Sequence, residues 1–137
     1  MTKVKGLLET PLYVHDLDRS EQFYTGVFGL EVLFEDDRLR ALGVGGKQVL
    51  LLFRAGGSTL PLSTPGGTIP DHDGHGPLHV AFSIGTEDLQ DWENRLSRHN
   101  IAIESRVRWP RGGTSIYFRD PDNNSVELAT PGTWSIY

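Results

Sequence analysis

Glu9 and His79 are the residues of this chain whose types and placement could do chemistry together. Each stands seven residues before a helix-capping residue, Glu9 before Asp16 and His79 before Thr86, in two stretches about 70 residues apart that follow one order. A repeat that keeps its phase over that distance points to two copies of one supersecondary unit. Carboxylates and imidazoles both ligate divalent cations. One such residue at the same point of each copy suggests a single site shared between the copies.

The elements that must position them follow from periodicity. Residues 6–14 alternate: Leu8, Thr10, Leu12 and Val14 face one way, and Glu9, Pro11 and Tyr13 the other, which predicts a half-buried strand. Asp16 or Asp18 can cap the next helix, Asp18 and Glu21 resembling a capping box. Ser20, Tyr24, Val27 and Phe28 share a helical face, and Gly29 supplies the stop. Strands are expected over 30–34, 39–44 and 48–54, giving β-α-β-β-β. Residues 56–76, rich in Gly, Pro, Ser and Thr, read as a linker or a lid. The order then returns: a strand over 77–84, a helix over 86–100 burying Leu89, Trp92 and Leu96, and strands over 101–109, 113–119 and 125–130. The run 120–124, Asp-Pro-Asp-Asn-Asn, is a hairpin turn.

Strand alternation separates packing from chemistry. In the second unit Val80, Phe82, Ile84, Ile116, Phe118, Val126 and Leu128 form the apolar set beneath the helix. That leaves His79, Ser115, Tyr117, Arg119 and Glu127 on the opposite face, a polar lining suited to a ligand. The counterpart of Glu127 in the first unit falls near Leu51, on a face that reads Val49, Leu51, Phe53. A cavity wet on one side and apolar on the other is typical of small-ligand sites.

Bulk properties exclude several classes. At 137 residues the chain suffices for one compact domain over 1–137: module one about 6–55, the linker or lid about 56–76, and module two about 77–131. A net charge of −5 argues against a nucleic-acid surface. No apolar run reaches the length of a membrane span, and Met1–Lys5 lacks the apolar core of a signal peptide. With no cysteine there is no disulfide, thiolate ligand or cysteine nucleophile. A cytoplasmic location is expected.

Three segments together resemble the vicinal oxygen chelate superfamily, which includes glyoxalase I, bleomycin resistance proteins, fosfomycin-resistance thiol transferases and extradiol dioxygenases. They are Leu12-Tyr13-Val14-His15-Asp16-Leu17 with Phe23-Tyr24 and Phe28-Gly29-Leu30-Glu31-Val32; Gly76-Pro77-Leu78-His79-Val80-Ala81-Phe82; and residues 117–128, Tyr-Phe-Arg-Asp-Pro-Asp-Asn-Asn-Ser-Val-Glu-Leu. The resemblance implies an α+β fold of two βαβββ modules whose mixed sheets curl into a cup or half-barrel around a divalent metal. It also implies a homodimer, with the site formed within one chain or between two. Carried over by position, the metal ligands fall on Glu9, His79 and Glu127. Many members carry His where this chain has Glu9, and the fourth ligand position of glyoxalase I falls on Leu51, a departure from that enzyme's full set.

One imidazole and two carboxylates would suit Fe, Mn, Zn, Ni or Mg, leaving open positions for two vicinal oxygens of a small-molecule substrate. The expected activity is that of a lyase or dioxygenase, with Glu127, Tyr117 and Arg119 as the catalytic candidates. Arg119 could hold a substrate carboxylate or phosphonate, or equally pair with Asp120 or Asp122. Tyr117 could donate a proton or simply fill the cavity. His72 and His75 read as part of a polar lid, and His15 as a surface residue beside the helix cap. The alternative is a metal-free sequestering protein of the bleomycin-resistance kind, which Trp109, Tyr117 and the apolar wall would serve. Carboxylates converging without a cation weigh against it.

Overall fold

A computed structural model describes residues 1–137, which divide into two compact units, Met1–Gly76 and Pro77–Tyr137. Each contains one four-stranded open mixed sheet and one α-helix, in the repeated order that the sequence predicts.

In the first unit β1 (Glu9–Val14) runs into α1 (Leu17–Phe28), followed by β2 (Glu31–Glu35), β3 (Leu39–Val44) and β4 (Gln48–Arg54). The sheet order is β1-β4-β3-β2, with β1 parallel to β4 and the other pairs antiparallel. Asp16 caps α1, its carboxylate accepting the Arg19 N–H at 3.1 Å. Gly29 closes the helix at φ 67°, a left-handed conformation that costs glycine little. Asp18 and Glu21 serve a different end: both grip Arg40 on β3, at 2.9 and 2.7 Å, pinning the helix to the sheet. Leu12, Val14, Leu42, Leu50 and Leu52 are buried on one face of the sheet. Each such leucine contributes roughly 1.5–3 kcal/mol by leaving water. Leu39, Ala41 and Phe53, with Tyr13, Val49 and Leu51, cluster on the other face.

The stretch expected to be a linker or lid holds a two-stranded ribbon, β5 (Leu62–Thr64) and β6 (Gly67–Ile69). It is pinned to β1 by His72, whose Nδ1 is hydrogen-bonded to the Tyr13 hydroxyl at 2.7 Å.

The second unit comprises β7 (His79–Ser83), a 3₁₀ turn at Thr86–Asp88, α2 (Leu89–Arg98), β8 (Ser105–Arg108), β9 (Thr114–Arg119) and β10 (Ser125–Ala129). The order β7-β10-β9-β8, with β7 parallel to β10, reproduces that of the first sheet. The predicted helix over 86–100 thus opens as a 3₁₀ turn, and the strand expected over 101–109 keeps ladder pairing only at 105–108. Val80, Ile84, Leu96, Ile116, Phe118, Val126 and Leu128 form the core. In the turn between β9 and β10, Asp120 accepts the N–H groups of Asp122 and Asn124 and the Asn124 amide, each at 2.9 Å. Buried Asn124 in turn accepts the Leu78 N–H at 2.8 Å, fixing the chain immediately before His79. No helix is long and apolar enough to cross a membrane.

Candidate metal centre

His79 opens β7, and Glu127 lies in the middle of the adjacent β10. The parallel register pairs Ser125 with His79 and Glu127 with Ala81, so both side chains rise from one face. His79 Nε2 stands 3.2 Å from Glu127 Oε1. The other ring nitrogen, Nδ1, is 3.0 Å from the Ser125 carbonyl oxygen, which can only accept. That contact requires a proton on Nδ1, so Nε2, facing the Glu127 carboxylate, is the nitrogen left to give its lone pair to a cation seated between them.

Glu127 is buried, and its second oxygen is held from behind. The hydroxyl of Ser115, itself fully buried, donates to Oε2 at 2.5 Å, while the Trp109 indole N–H donates to the Ser115 oxygen at 2.8 Å. A polarised chain of this kind, Trp109 to Ser115 to Glu127, orients the carboxylate and leaves Oε1 directed at His79. Tyr117, opposite Glu127 on β9, stacks on His79 with ring centroids 6.2 Å apart. Burial and then the neighbouring Glu127 charge raise the Tyr117 phenol above its ordinary pKa, so it remains a proton-bearing group at neutral pH.

Over this face lies a cavity of about 560 Å³ walled by Trp109, Trp134, Ile136 and Tyr137 as well as His79, Tyr117 and Glu127. Its far wall is the segment after β10. The Tyr137 hydroxyl donates to the carbonyls of Ile84 and Ala129, at 2.8 and 3.1 Å. Gly132, at φ 97°, packs backbone to backbone on Gly113, so closely that a Cβ on Gly113 would lie 2.5 Å from the Gly132 carbonyl carbon.

Arg119 follows the same alternation as Tyr117 but is already engaged. Its guanidinium donates to both Glu104 carboxylate oxygens, at 2.7 and 3.1 Å, and to the Asn123 carbonyl. The partner is neither Asp120 nor Asp122, because Asp120 is consumed by the turn. An anion binding at Arg119 would have to displace Glu104.

Glu9 belongs to the first unit, exposed at the start of β1 and paired in register with Val49. The pairing Pro11–Leu51 matches Ala81–Glu127, so Leu51 is the counterpart of Glu127. Glu9 lines a second cavity, of about 760 Å³, whose walls include Tyr13, Arg38, Leu51, Phe53 and His72. Neither unit by itself brings three His, Asp or Glu side chains together. The donor chemistry of the second unit nevertheless fits a cation: an imidazole of fixed tautomer facing a buried, oriented carboxylate.

Sequence reasoning missed the engagement of Trp109 with Ser115, the docking of His72 on Tyr13 and the placement of Arg38. Of these only Trp109 carries a local signal, an indole six residues from a buried serine across one hairpin.

Comparison with known proteins places these two sheets in a family. A lactoylglutathione lyase from Agrobacterium tumefaciens has the same fold with a TM-score of 0.88 and 35% identity, over 98% of this chain and 99% of that one. The metallothiol transferase FosB of Staphylococcus haemolyticus is 29% identical over 128 residues, 93% of this chain and 84% of that protein. Catechol-2,3-dioxygenase of Bacillus subtilis is 32% identical over 118 residues, which span 85% of this chain and 38% of that protein. The fosfomycin resistance protein FosX of Listeria monocytogenes, in its complex with Mn(II) and sulfate, shares the fold at a TM-score of 0.68 and 22% identity, over 93% and 91% of the two chains. Residues 6–128, most of both repeated units, match the model of the Glyoxalase/Bleomycin resistance protein/Dioxygenase superfamily, and the chain is a member of it.

Proposed function

We propose that this protein is a metal-dependent enzyme acting on a small molecule that presents two vicinal oxygens, by a lyase or dioxygenase type of reaction. The observation that carries the proposal is the His79–Glu127 pair, 3.2 Å apart, with the imidazole tautomer fixed by Ser125 and the carboxylate fixed by Ser115. His79 and Glu127 would hold the ion, with Glu9 of a first unit, from the same chain or a second copy in a homodimer, completing the set. A divalent ion bound there supplies Lewis acidity toward a developing oxyanion, or a site for a diol.

The remaining work falls to the chain's own residues. Ser125 and Ser115 orient the two donors, so that little reorganisation is needed on binding. Tyr117, retaining its proton beside Glu127, offers a hydrogen-bond donor at the cavity floor. Trp109, Trp134 and Ile136 give one side of the cavity an apolar wall. Arg119, bound to Glu104, steadies the end of β9 in this reading and leaves substrate contact to other groups.

A metal-free binder is the second reading, favoured by the aromatic walls of the same cavity. Turnover separates the two. Metal-stripped protein, refilled in turn with Mn, Fe, Ni, Zn or Mg, should convert at least one of catechols, α-keto aldehyde–thiol adducts or fosfomycin with thiol or water, and should lose that turnover on chelation. Ligand binding that is unaffected by chelator, with no turnover under any metal, would favour the binder.

A further inference from the structure

The cavity of the first unit contains a cation with no anionic partner. Arg40, Arg106 and Arg119 each grip a carboxylate. Arg38 does not: one terminal nitrogen donates to the Ser58 hydroxyl at 3.1 Å, while Nε and the other terminal nitrogen make no protein hydrogen bond. Its guanidinium carbon sits 5.5 Å from the centre of the Phe53 ring, half-buried, at the wall of the 760 Å³ cavity. A guanidinium anchored at one corner and laid on an aromatic face presents its remaining N–H groups as a fork, the geometry that matches a carboxylate.

The surfaces beside it are flat. Tyr13 stacks on Phe53 at 5.8 Å and 25°, and His72 meets Phe53 edge-on at 4.5 Å. The Tyr13 hydroxyl and His72 Nδ1 are hydrogen-bonded at 2.7 Å, and Gly74 lies so close to the Tyr13 ring that a Cβ would come within 2.5 Å of it. The rings are therefore held in place from strand, linker and loop alike. At the other end of the same strand face, four residues or roughly 13 Å along β1, stands Glu9. Glu9 and Asp71 both line the cavity and repel an anion, which leaves Arg38, the one arginine or lysine of its wall, as the group to hold one.

We infer that the first-unit cavity binds an aromatic carboxylate, with the ring against Tyr13, Phe53 and His72 and the carboxylate on Arg38. This names a substrate class for the enzyme proposed above and rests on that reading for its purpose, but its test requires no metal.

The test uses 2-naphthoate and its uncharged amide, titrated calorimetrically into the full chain in excess chelator. Wild-type protein should bind the carboxylate roughly tenfold or more tighter than the amide, the scale of one charge-assisted contact. Arg38→Met should bring the two affinities together, and Arg106→Met, which removes a cation of the other unit that Glu93 holds, should leave the preference intact. Ser58→Ala, a milder change that keeps the guanidinium, should weaken the carboxylate alone, which keeps the test open if Arg38→Met fails to fold. Equal affinities for wild-type protein, no binding of either probe at millimolar concentration, or a preference that survives Arg38→Met or is untouched by Ser58→Ala would overturn the inference. Because chelator is present throughout, failure here is distinct from failure of the metal proposal, which is read from His79 variants.

Discussion

Replacing Ser115 by alanine removes one oxygen atom from a fully buried position and leaves the rest of the packing nearly unchanged. Two hydrogen bonds vanish with it: the 2.5 Å donation to Glu127 and the acceptance of the Trp109 indole N–H at 2.8 Å. A hydrogen bond to a charged group contributes about 1.5–3 kcal/mol, and a half-buried donor left without an acceptor costs about 1 kcal/mol more. Ser115→Ala should therefore destabilise the second unit by about 2–4 kcal/mol. All three tryptophans, Trp92, Trp109 and Trp134, lie in that unit, so tryptophan fluorescence during urea unfolding reports on it selectively. The midpoint should fall with little change in slope. In a double-mutant cycle with Glu127→Gln, the pair should couple by about 1 kcal/mol or more. A loss under about 0.5 kcal/mol, the range of ordinary surface substitutions, together with additive double-mutant behaviour, would refute the idea that Ser115 anchors the carboxylate.

Three further outcomes follow from particular contacts. Gly113→Ala places a Cβ 2.5 Å from the Gly132 backbone, which cannot rotate away; it should cost about 1–3 kcal/mol and, on thermal denaturation, lower the midpoint more than Gly26→Ala, whose Cβ meets nothing within 4 Å. Burial first, and then the nearby charges of Asp73 and Glu127 respectively, raise Tyr13 and Tyr117, so ultraviolet titration should show phenols ionising above pH 10, and Tyr117→Phe should remove one of them. Folding favours the neutral phenols, so their contribution is complete below the unfolded pKa of about 10 and is lost as pH rises through the higher folded values. Glu104 behaves oppositely: the Arg119 hydrogen bonds lower its pKa, so its contribution is complete above the ordinary carboxylate value of about 4.3 and is lost as pH falls through the folded one. Arg119→Gln should flatten that part of the acid limb in pH-dependent unfolding, whereas an unchanged limb would mean that the pair is too solvated to matter.

Most of the scaffold was legible because it is written in local chemistry. Alternation in 9–14, 79–83 and 125–129 separates core from cavity, and Asp16, Gly29 and the 120–124 turn punctuate the chain by mechanisms that need no distant partner. The ribbon at 62–69 escaped because two three-residue strands around Pro65 and Gly66 are too short for periodicity to register. Proximity in sequence offers Arg119 the pairing with Asp120 or Asp122 as an alternative to a substrate anion, but the turn uses Asp120 for three hydrogen bonds, and Glu104 reaches Arg119 across the β8–β9 side of the sheet. Of the proposed ligands, His79 and Glu127 were recoverable as a pair because parallel strands in register bring them together. The contacts of His72, 59 positions from Tyr13, and of Arg38, 20 from Ser58, depend on how the loops fold back, which spacing does not encode.

The central claim is that His79, Glu127 and Glu9 share one divalent ion. Calorimetric titration of metal-stripped full-length protein with Mn(II), checked by the spin-resonance signal of free Mn(II), tests it most directly. The account predicts about one ion per chain for wild-type protein, with affinity falling roughly a hundredfold or more, beyond the usual effect of losing an outer partner, in each of His79→Ala, Glu127→Gln and Glu9→Gln. Undiminished binding in folded His79→Ala protein, or no stoichiometric ion in the wild type with any of the five candidate metals, would contradict it.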